Sequence, residues 1–342
     1  MARPVKVQNP PNPFESAHVE WEGPPPDAAL EVFEERAKSI VSENSSPDVG
    51  FRYSVNPYRG CFHGCLYCYA RPSHQYLDFG AGTDFDRKIV VKVNAPELLD
   101  RRIRRPSWTF EPIAFSGNTD CYQPLEASYG LTRRCLEVCL AHGTPVGVIT
   151  KGTMIRRDVA LLAELHRRAG ARVSISQAFA RDEDRRVFDP WAPPVEARFE
   201  TMRQLADAGI PVGVAVSPII PGVNDSQIPE VLARAKEAGA RHAFMTLLRL
   251  PREVKPWFEV RVEALVPGRA KKVKNGIREL RGGADANDAR FHHRMRGQGA
   301  RWDAITQLFE MHLRKLGLNT EDVVADLGPP PERRRRGQLD LF

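Results

Sequence analysis

Residues 145–176, PVGVITKGTMIRRDVALLAELHRRAGARVSIS, hold one complete unit of the fold. The stretch opens on an apolar, β-branched run at 145–150. Apolar residues spaced for one helical face follow at 156–169, and after Gly170 a second apolar run occupies 171–176. Strand, amphipathic helix and strand in that order predict two parallel strands joined by a helical crossover. A glycine just past the helix accepts the left-handed backbone that ends it.

The same pattern extends both ways from this unit. Strands are predicted at 52–56, 113–115, 210–217 and 242–248, and helices at 125–142, 195–208 and 226–238. Those helices also stop at glycines: Gly143, Gly209 and Gly239. Six strands alternating with helices predict an α/β fold, an open (β/α)6 partial TIM barrel, with a flat doubly wound sheet as the alternative.

Four regions are expected. Residues 1–50 form a Pro-rich N-terminal arm with a short helix at 28–41, and 51–250 form the core barrel. Residues 251–328 form a helical C-terminal extension, with helices at 252–266, 270–281 and 301–316. The tail 329–342, PPPERRRRGQLDLF, is expected to be disordered when free, because its composition cannot bury a core.

Hydrophobic residues make up 42% of the 342 and charged residues 27%, as in an ordinary globular protein. No apolar run is long enough to span a bilayer, and the N-terminus lacks the apolar core of a signal peptide. The expectation is a cytoplasmic protein with no membrane contact. The formal net charge of +7 suits a polyanion such as nucleic acid, and equally suits simple solubility.

Directly after the strand at 52–56 comes NPYRGCFHGCLYCYA, residues 56–70. Cys61, Cys65 and Cys68 are spaced C-x3-C-x2-C, with Gly60 and Gly64 to let the loop curl. Thiolates suit an iron–sulfur cluster or zinc. Zinc would draw a fourth ligand from His63 or His74, but no second cysteine pair of the usual kind follows. Cys135 and Cys139, one helical turn apart among Leu131, Leu136 and Val138, read as core packing.

The spacing, with aromatic Tyr67 just before the last cysteine, resembles the signature of the radical S-adenosylmethionine (SAM) superfamily. The wider NPYRGCxHGCxYCYAR setting resembles its spore photoproduct lyase-like branch, which includes proteins called DNA repair photolyases by analogy. This resemblance covers roughly residues 51–250. It implies a 4Fe–4S cluster on Cys61, Cys65 and Cys68, with one iron open to SAM. It implies reductive cleavage of SAM to methionine and a 5′-deoxyadenosyl radical, which then takes hydrogen from a substrate. A one-electron donor such as flavodoxin or ferredoxin is implied as well.

By the same resemblance, the loop Ser116, Gly117, Asn118, Thr119 and Asp120 would hold the SAM ammonium. Lys151 would pair with its carboxylate, Ser174 and Ser176 would face its ribose, and Tyr67 would border the cofactor. In the lyase a cysteine in this region returns hydrogen to the product radical, which makes Cys121 the candidate here. A polar helix entry and hydroxyls bonded to backbone remain the structural alternatives for these residues. His292 and His293, among Arg290, Arg294 and Arg296, read as phosphate ligands or as a solvated loop.

The final peptide, Gln338, Leu339, Asp340, Leu341 and Phe342, resembles the motif by which bacterial replication and repair proteins dock on the DNA sliding clamp. The leading expectation is radical repair or modification of DNA. The alternatives are radical modification of RNA, protein or a small molecule, and a non-enzymatic DNA-associated iron–sulfur redox module.

Overall fold

The computed structural model describes residues 29–283, 288 and 290–320. Six strands form the parallel part of the main sheet: β3 (Tyr53–Val55), β6 (Ile113–Phe115), β7 (Val146–Thr150), β8 (Ala171–Ser176), β9 (Val212–Ile219) and β10 (His242–Leu247). They lie side by side in the order β10-β9-β8-β7-β6-β3, all neighbours parallel. A short antiparallel strand, β2 (Val41–Glu43), finishes one edge, so the sheet is open and not a closed barrel.

Helices α2 (Ala95–Ile103), α3 (Glu126–Tyr129), α4 (Leu131–Ala141), α5 (Val159–Arg168), α6 (Asp182–Phe188), α7 (Val195–Asp207) and α8 (Ile228–Glu237) connect the strands. The apolar stripes of α4, α5, α7 and α8 meet one face of the sheet. In α5 that stripe is Leu162 and Leu165, both fully buried against a core that includes Val173 and Ile175 of β8. Burying one such leucine contributes about 1.5–3 kcal/mol.

Alternation along the strands then assigns the other face. Val212, Val214 and Val216 of β9 belong to the helix-side core, so Gly213, Ala215 and Ser217 point into the concave side. The same logic puts Ser174 and Ser176 of β8 on the concave side, as the sequence predicts.

The helix expected at 28–41 is absent. Those residues form β1 (Glu31–Glu35) and lead into β2. With β5 (Lys88–Lys92) and β4 (Tyr58–Arg59), β1 makes a separate three-stranded sheet, to which α1 (Thr83–Arg87) is joined directly. In this register Glu31 faces Lys88 and Glu35 faces Lys92. Pairing with a segment 57 positions away overrides the local preference for helix.

The C-terminal helices are α9 (Val254–Leu265), α10 (Pro267–Leu280) and α11 (Ala300–Leu316). Phe258 and Val262 of α9, with Val273 and Ile277 of α10, build a second apolar core. The cysteine loop rests on this core through Cys65, Leu66 and Tyr67. Helix α11 packs Trp302, Ile305 and Phe309 into the main core instead. Just beyond it, the Asn319 side chain accepts from Ala243 N and donates to Ala243 O, both at 2.8 Å, along the outer edge of β10.

No helix among the described residues is long and apolar enough to cross a membrane. Most of the N-terminal arm, residues 1–28, lies outside the described residues, as does the tail 329–342 with its Gln338–Phe342 peptide.

Candidate active site

The cysteine loop leaves β3, passes through β4 and turns back on itself. Cys61 N donates to Phe85 O (3.0 Å), Gly64 N to Cys61 O (3.3 Å) and Cys68 N to Cys65 O (3.2 Å). Gly64 has φ +64°, and a Cβ there would stand 2.7 Å from Trp191 Cδ1, so only glycine fits this turn.

Arg71 fixes the loop from inside. Its side chain is fully buried and spans Cys65 O (2.8 Å), Gly82 O (2.7 Å) and Asp86 (2.9 Å), with Trp257 against its guanidinium plane. A buried arginine with its donors matched in this way holds the backbone in one shape.

Cys61 and Cys65 are each 8% exposed, and Cys68 is partly exposed. Burial pushes the Cys68 thiol up to about 11 and the Cys65 thiol well above its usual range. Both candidates for a fourth zinc ligand are already engaged. His74 Nε2 bonds Lys88 O at 2.7 Å and its ring packs on Phe85, while His63 Nδ1 pairs with Asp120 Oδ2 at 3.3 Å. Among the described residues, no three His, Cys, Asp or Glu side chains converge on one ion position. Thiolates around a cubane cluster each meet a different iron, so they have no need to converge on a point.

The loop 116–120 lies beside the cysteines, but Asp120 is not free to bind a ligand. Its Oδ1 accepts from Thr150 Oγ1 (2.6 Å) and Tyr122 N (2.9 Å), and its Oδ2 from Lys151 N (2.8 Å) and His63. Burial would raise this carboxyl, yet His63, Thr150 and the Lys151 amide hold it well below the usual range. Burial would likewise keep His63 neutral, but Cys61 and Asp120 raise it to about 9. Asp120 therefore ties the cysteine loop to the end of β7.

The rest of the 116–120 loop is stitched in place in the same way. Thr119 Oγ1 donates to Tyr58 O (2.7 Å) and Asn118 N to Asn56 Oδ1 (2.9 Å). The Gly117 carbonyl accepts from Tyr69 OH (2.6 Å). Ser116, with φ +69°, accepts from Cys121 N (2.8 Å). Ser116, Gly117 and Asn118 stay partly exposed.

Lys151 leaves the end of β7 with its Nζ 5.6 Å from the Tyr67 ring centre, and Nζ makes no hydrogen bond among the described residues. Burial pulls this ammonium down, but Cys65, Asp189 and Asp120 outweigh it and hold Lys151 above its usual range.

Beneath lies a group the sequence reading missed. Tyr67 OH donates to Asp189, and Asp189 pairs with Arg198 at 3.5 Å, both fully buried. One oxygen of Asp189 and one nitrogen of Arg198 make no hydrogen bond. No spacing or composition signal marks Asp189 or Arg71, because their roles depend on partners far along the chain.

Ser174 and Ser176 do face the concave side. Ser174 Oγ meets His242 Nε2 at 3.2 Å, and Ser176 is buried at the level of Ala215. Cys121 does not join them. It is fully buried in the apolar core with Cys135, and its carbonyl accepts from Thr132 Oγ1 (2.7 Å). Its thiol lies within hydrogen-bonding reach of the Ser116 and Thr132 side chains. In the basic segment, Arg294 pairs with Asp48 and Arg290 with Asp288 (2.8 Å).

A cluster and a zwitterionic ligand fit this set of groups. One loop offers three thiols, Lys151 offers an ammonium without a hydrogen-bonded partner, and Ser116, Gly117 and Asn118 stay partly exposed beside them.

The radical SAM superfamily model matches residues 55–235. An uncharacterized protein of Mycobacterium tuberculosis is 40% identical over 210 residues, 61% of this chain and 62% of that protein. The chain thus spans under two thirds of the length of the mycobacterial relatives it matches. An uncharacterized protein of Methanocaldococcus jannaschii is 26% identical over 234 residues, covering 68% of this chain and 84% of that one. Among solved structures, spore photoproduct lyase complexed with dinucleoside spore photoproduct superposes with a TM-score of 0.62 at 15% identity, covering 84% and 80% of the two chains. The same lyase with bound SAM and the dinucleoside gives 0.59 at 16%. At such identities the likeness is one of fold. The family model spans the cysteine loop and four of the six parallel strands in full, more than half of the residues, and the chain belongs to the radical SAM superfamily.

Proposed function

We propose that Cys61, Cys65 and Cys68 hold a 4Fe–4S cluster and that the enzyme uses SAM to take hydrogen from DNA, in repair or modification. The observation that carries the cofactor part is the placement of three thiols, two of them buried, and the Lys151 ammonium at the C-terminal ends of β3 and β7, the face where such folds bind ligands. When bound and reduced, the cluster with SAM supplies one-electron C–S cleavage and hydrogen-atom abstraction.

The chain's own residues hold and orient. Arg71 and Asp86 keep the loop closed on its second core, which excludes water beneath Cys65. Lys151 orients a carboxylate from above Tyr67. Asp120 serves as the brace between loop and sheet, and the ammonium falls to the partly exposed Ser116, Gly117 and Asn118. Ser174 and Ser176 supply hydroxyls along the concave side.

The DNA part is supported by the net charge of +7 and by the substrate carried in the lyase structure that shares this fold. Arg249, whose Nε makes no hydrogen bond, follows β10, and Arg290 and Arg294 lie on the segment bound to Asp48. A flavodoxin- or ferredoxin-type donor would supply the electron. The peptide Gln338–Phe342 would dock the enzyme on the sliding clamp with micromolar affinity, on the order of −8 kcal/mol.

Anaerobic reconstitution tests the cofactor reading. Full iron loading of a Cys61→Ala/Cys65→Ala/Cys68→Ala chain would overturn it, and so would reduced holoenzyme that never releases 5′-deoxyadenosine. Duplex binding that weakens steeply with salt, and clamp binding lost on deleting 338–342, are the expected results for DNA and docking.

A further inference from the structure

The concave side of the sheet is floored by small residues. Between β7 and β10 it presents Gly147, Ser174, Gly213 and Ala215. The large side chains on this face include Ile149 of β7, opposite Ser174, Arg172 of β8, and His242 and Phe244 of β10.

Their placement follows from register and alternation. Ala243 and Leu247 belong to the helix-side core, so His242 and Phe244 point the other way. His242 lies across β9. A Cβ on Gly213 would stand 2.1 Å from its Nε2, and that nitrogen reaches Ser174 Oγ on the strand beyond. Glycine at 213 is what lets the imidazole lie flat on the floor. Arg172 comes two residues before Ser174, near enough to add to the lowering of His242. Phe244 sits opposite Ala215, which sits opposite Ser176.

Two features of this surface call for a ligand. Phe244 is 39% exposed although it lies inside the curve of the sheet. Arg172 is partly buried, and its guanidinium has neither a hydrogen bond nor an ion pair among the described residues; burial alone pulls it below its usual range. A desolvated, unpaired cation attracts an anion, and an accessible aromatic face attracts a flat ring.

Phe244 and Arg172 are offset by two strands and four residues, roughly 10 Å across and 13 Å along the sheet. A free phosphate cannot touch both, whereas a base with its neighbouring phosphate and the next sugar can.

We propose that the surface between Arg172 and Phe244 is a nucleotide subsite of the substrate. A base stacks on Phe244, the phosphodiester meets Arg172, and His242, fixed by Ser174, forms the wall between them. The proposal rests on the DNA reading above and deepens it, placing the reacting unit below the level of the cysteine loop.

The test uses the reconstituted full-length enzyme and three probes by equilibrium dialysis: the dinucleotide thymidylyl-thymidine, a duplex long enough to cross the outer surface, and SAM. Arg172→Gln and Phe244→Leu should each weaken dinucleotide binding about tenfold. Arg172→Lys should restore most of the first loss. Duplex and SAM binding should change less than about twofold in every variant. Melting temperatures and iron content identify any variant that has merely lost its fold, and the Arg172 pair carries the test if Phe244→Leu has.

Unchanged dinucleotide affinity in both Arg172→Gln and Phe244→Leu overturns the subsite. An equal loss of SAM affinity overturns it too, because Phe244 would then serve the cofactor's adenine. Wild-type enzyme that binds duplex but no dinucleotide removes the subsite and leaves the DNA reading standing. Enzyme that binds neither removes both.

Discussion

Six cysteines fall into two sets of three, and the sets teach by contrast. Cys121, Cys135 and Cys139 are fully buried in the main core. Cys61 and Cys65 are nearly as buried, with Cys68 beside them. Desolvation pushes up the thiols of Cys65 and Cys68 in one set and of Cys121, Cys135 and Cys139 in the other. Burial therefore does not separate a ligand from a packing residue. The surroundings do: aliphatic groups enclose Cys139, whereas Lys151, Asp189 and His63 crowd around Cys61 and Cys65. A thiolate-bearing cluster needs compensating charge, which Lys151 and His63 place beside Cys65 and Cys61.

The largest effect that could break this contrast is in iron binding. Any one of Cys61→Ala, Cys65→Ala or Cys68→Ala should abolish the roughly four irons and four sulfides of a cubane, read by metal and sulfide analysis. A Cys121→Ala/Cys135→Ala/Cys139→Ala chain should keep them. Equal iron in both triple variants would erase the distinction.

The next effect sharpens the role of the surroundings. Asp189→Ala leaves Arg198 buried without its counter-charge, and should cost about 3–5 kcal/mol in urea denaturation. Asp189→Asn keeps the hydrogen bond from Tyr67 and should cost less.

Smaller again is Cys135→Ser. It places an unpartnered hydroxyl in the apolar core at a cost of about 1–3 kcal/mol, with iron content unchanged.

The smallest effect concerns pH and shows the same two environments in histidines. His63 is raised by its neighbours, whereas burial, with Arg172 and Arg241, lowers His242 to about 4. Between about 4 and the ordinary value of roughly 6.5, the unfolded chain binds a proton at this residue that the folded chain does not. Stability should thus fall as pH drops through that window and stop falling below it. His242→Asn should reduce the loss at pH 5.5 by on the order of 1 kcal/mol, read from urea midpoints at pH 7 and 5.5.

The parallel strands were legible because their signal is local. The runs at 113–115 and 171–176 coincide with β6 and β8, since each is short, apolar and punctuated by glycine. The sheet of β1, β4 and β5 was not legible, because Glu31 finds Lys88 only after the chain has folded. In the site, the cysteine spacing carries its own meaning and the family model spans it. Asp120 shows the limit of such reading: sequence places it at a strand end but does not tell where its carboxylate turns. Arg71, Asp189 and Arg198 escaped because a buried ion pair has no period and no motif.

Asn319 has a consequence of its own. An open barrel leaves its last strand with unpaired backbone groups, a ready template for a strand of another molecule. Here a carboxamide, held by the turn after α11, occupies Ala243 near the start of that row, and Met295 O accepts from Leu247 N at its far end. Shortening the chain before 319, or replacing this asparagine with alanine, would uncover the row, and the expected outcome is self-association that grows with protein concentration. The far C-terminal end of the described chain thus acts as a guard against aggregation, a service to solubility that has no part in the chemistry.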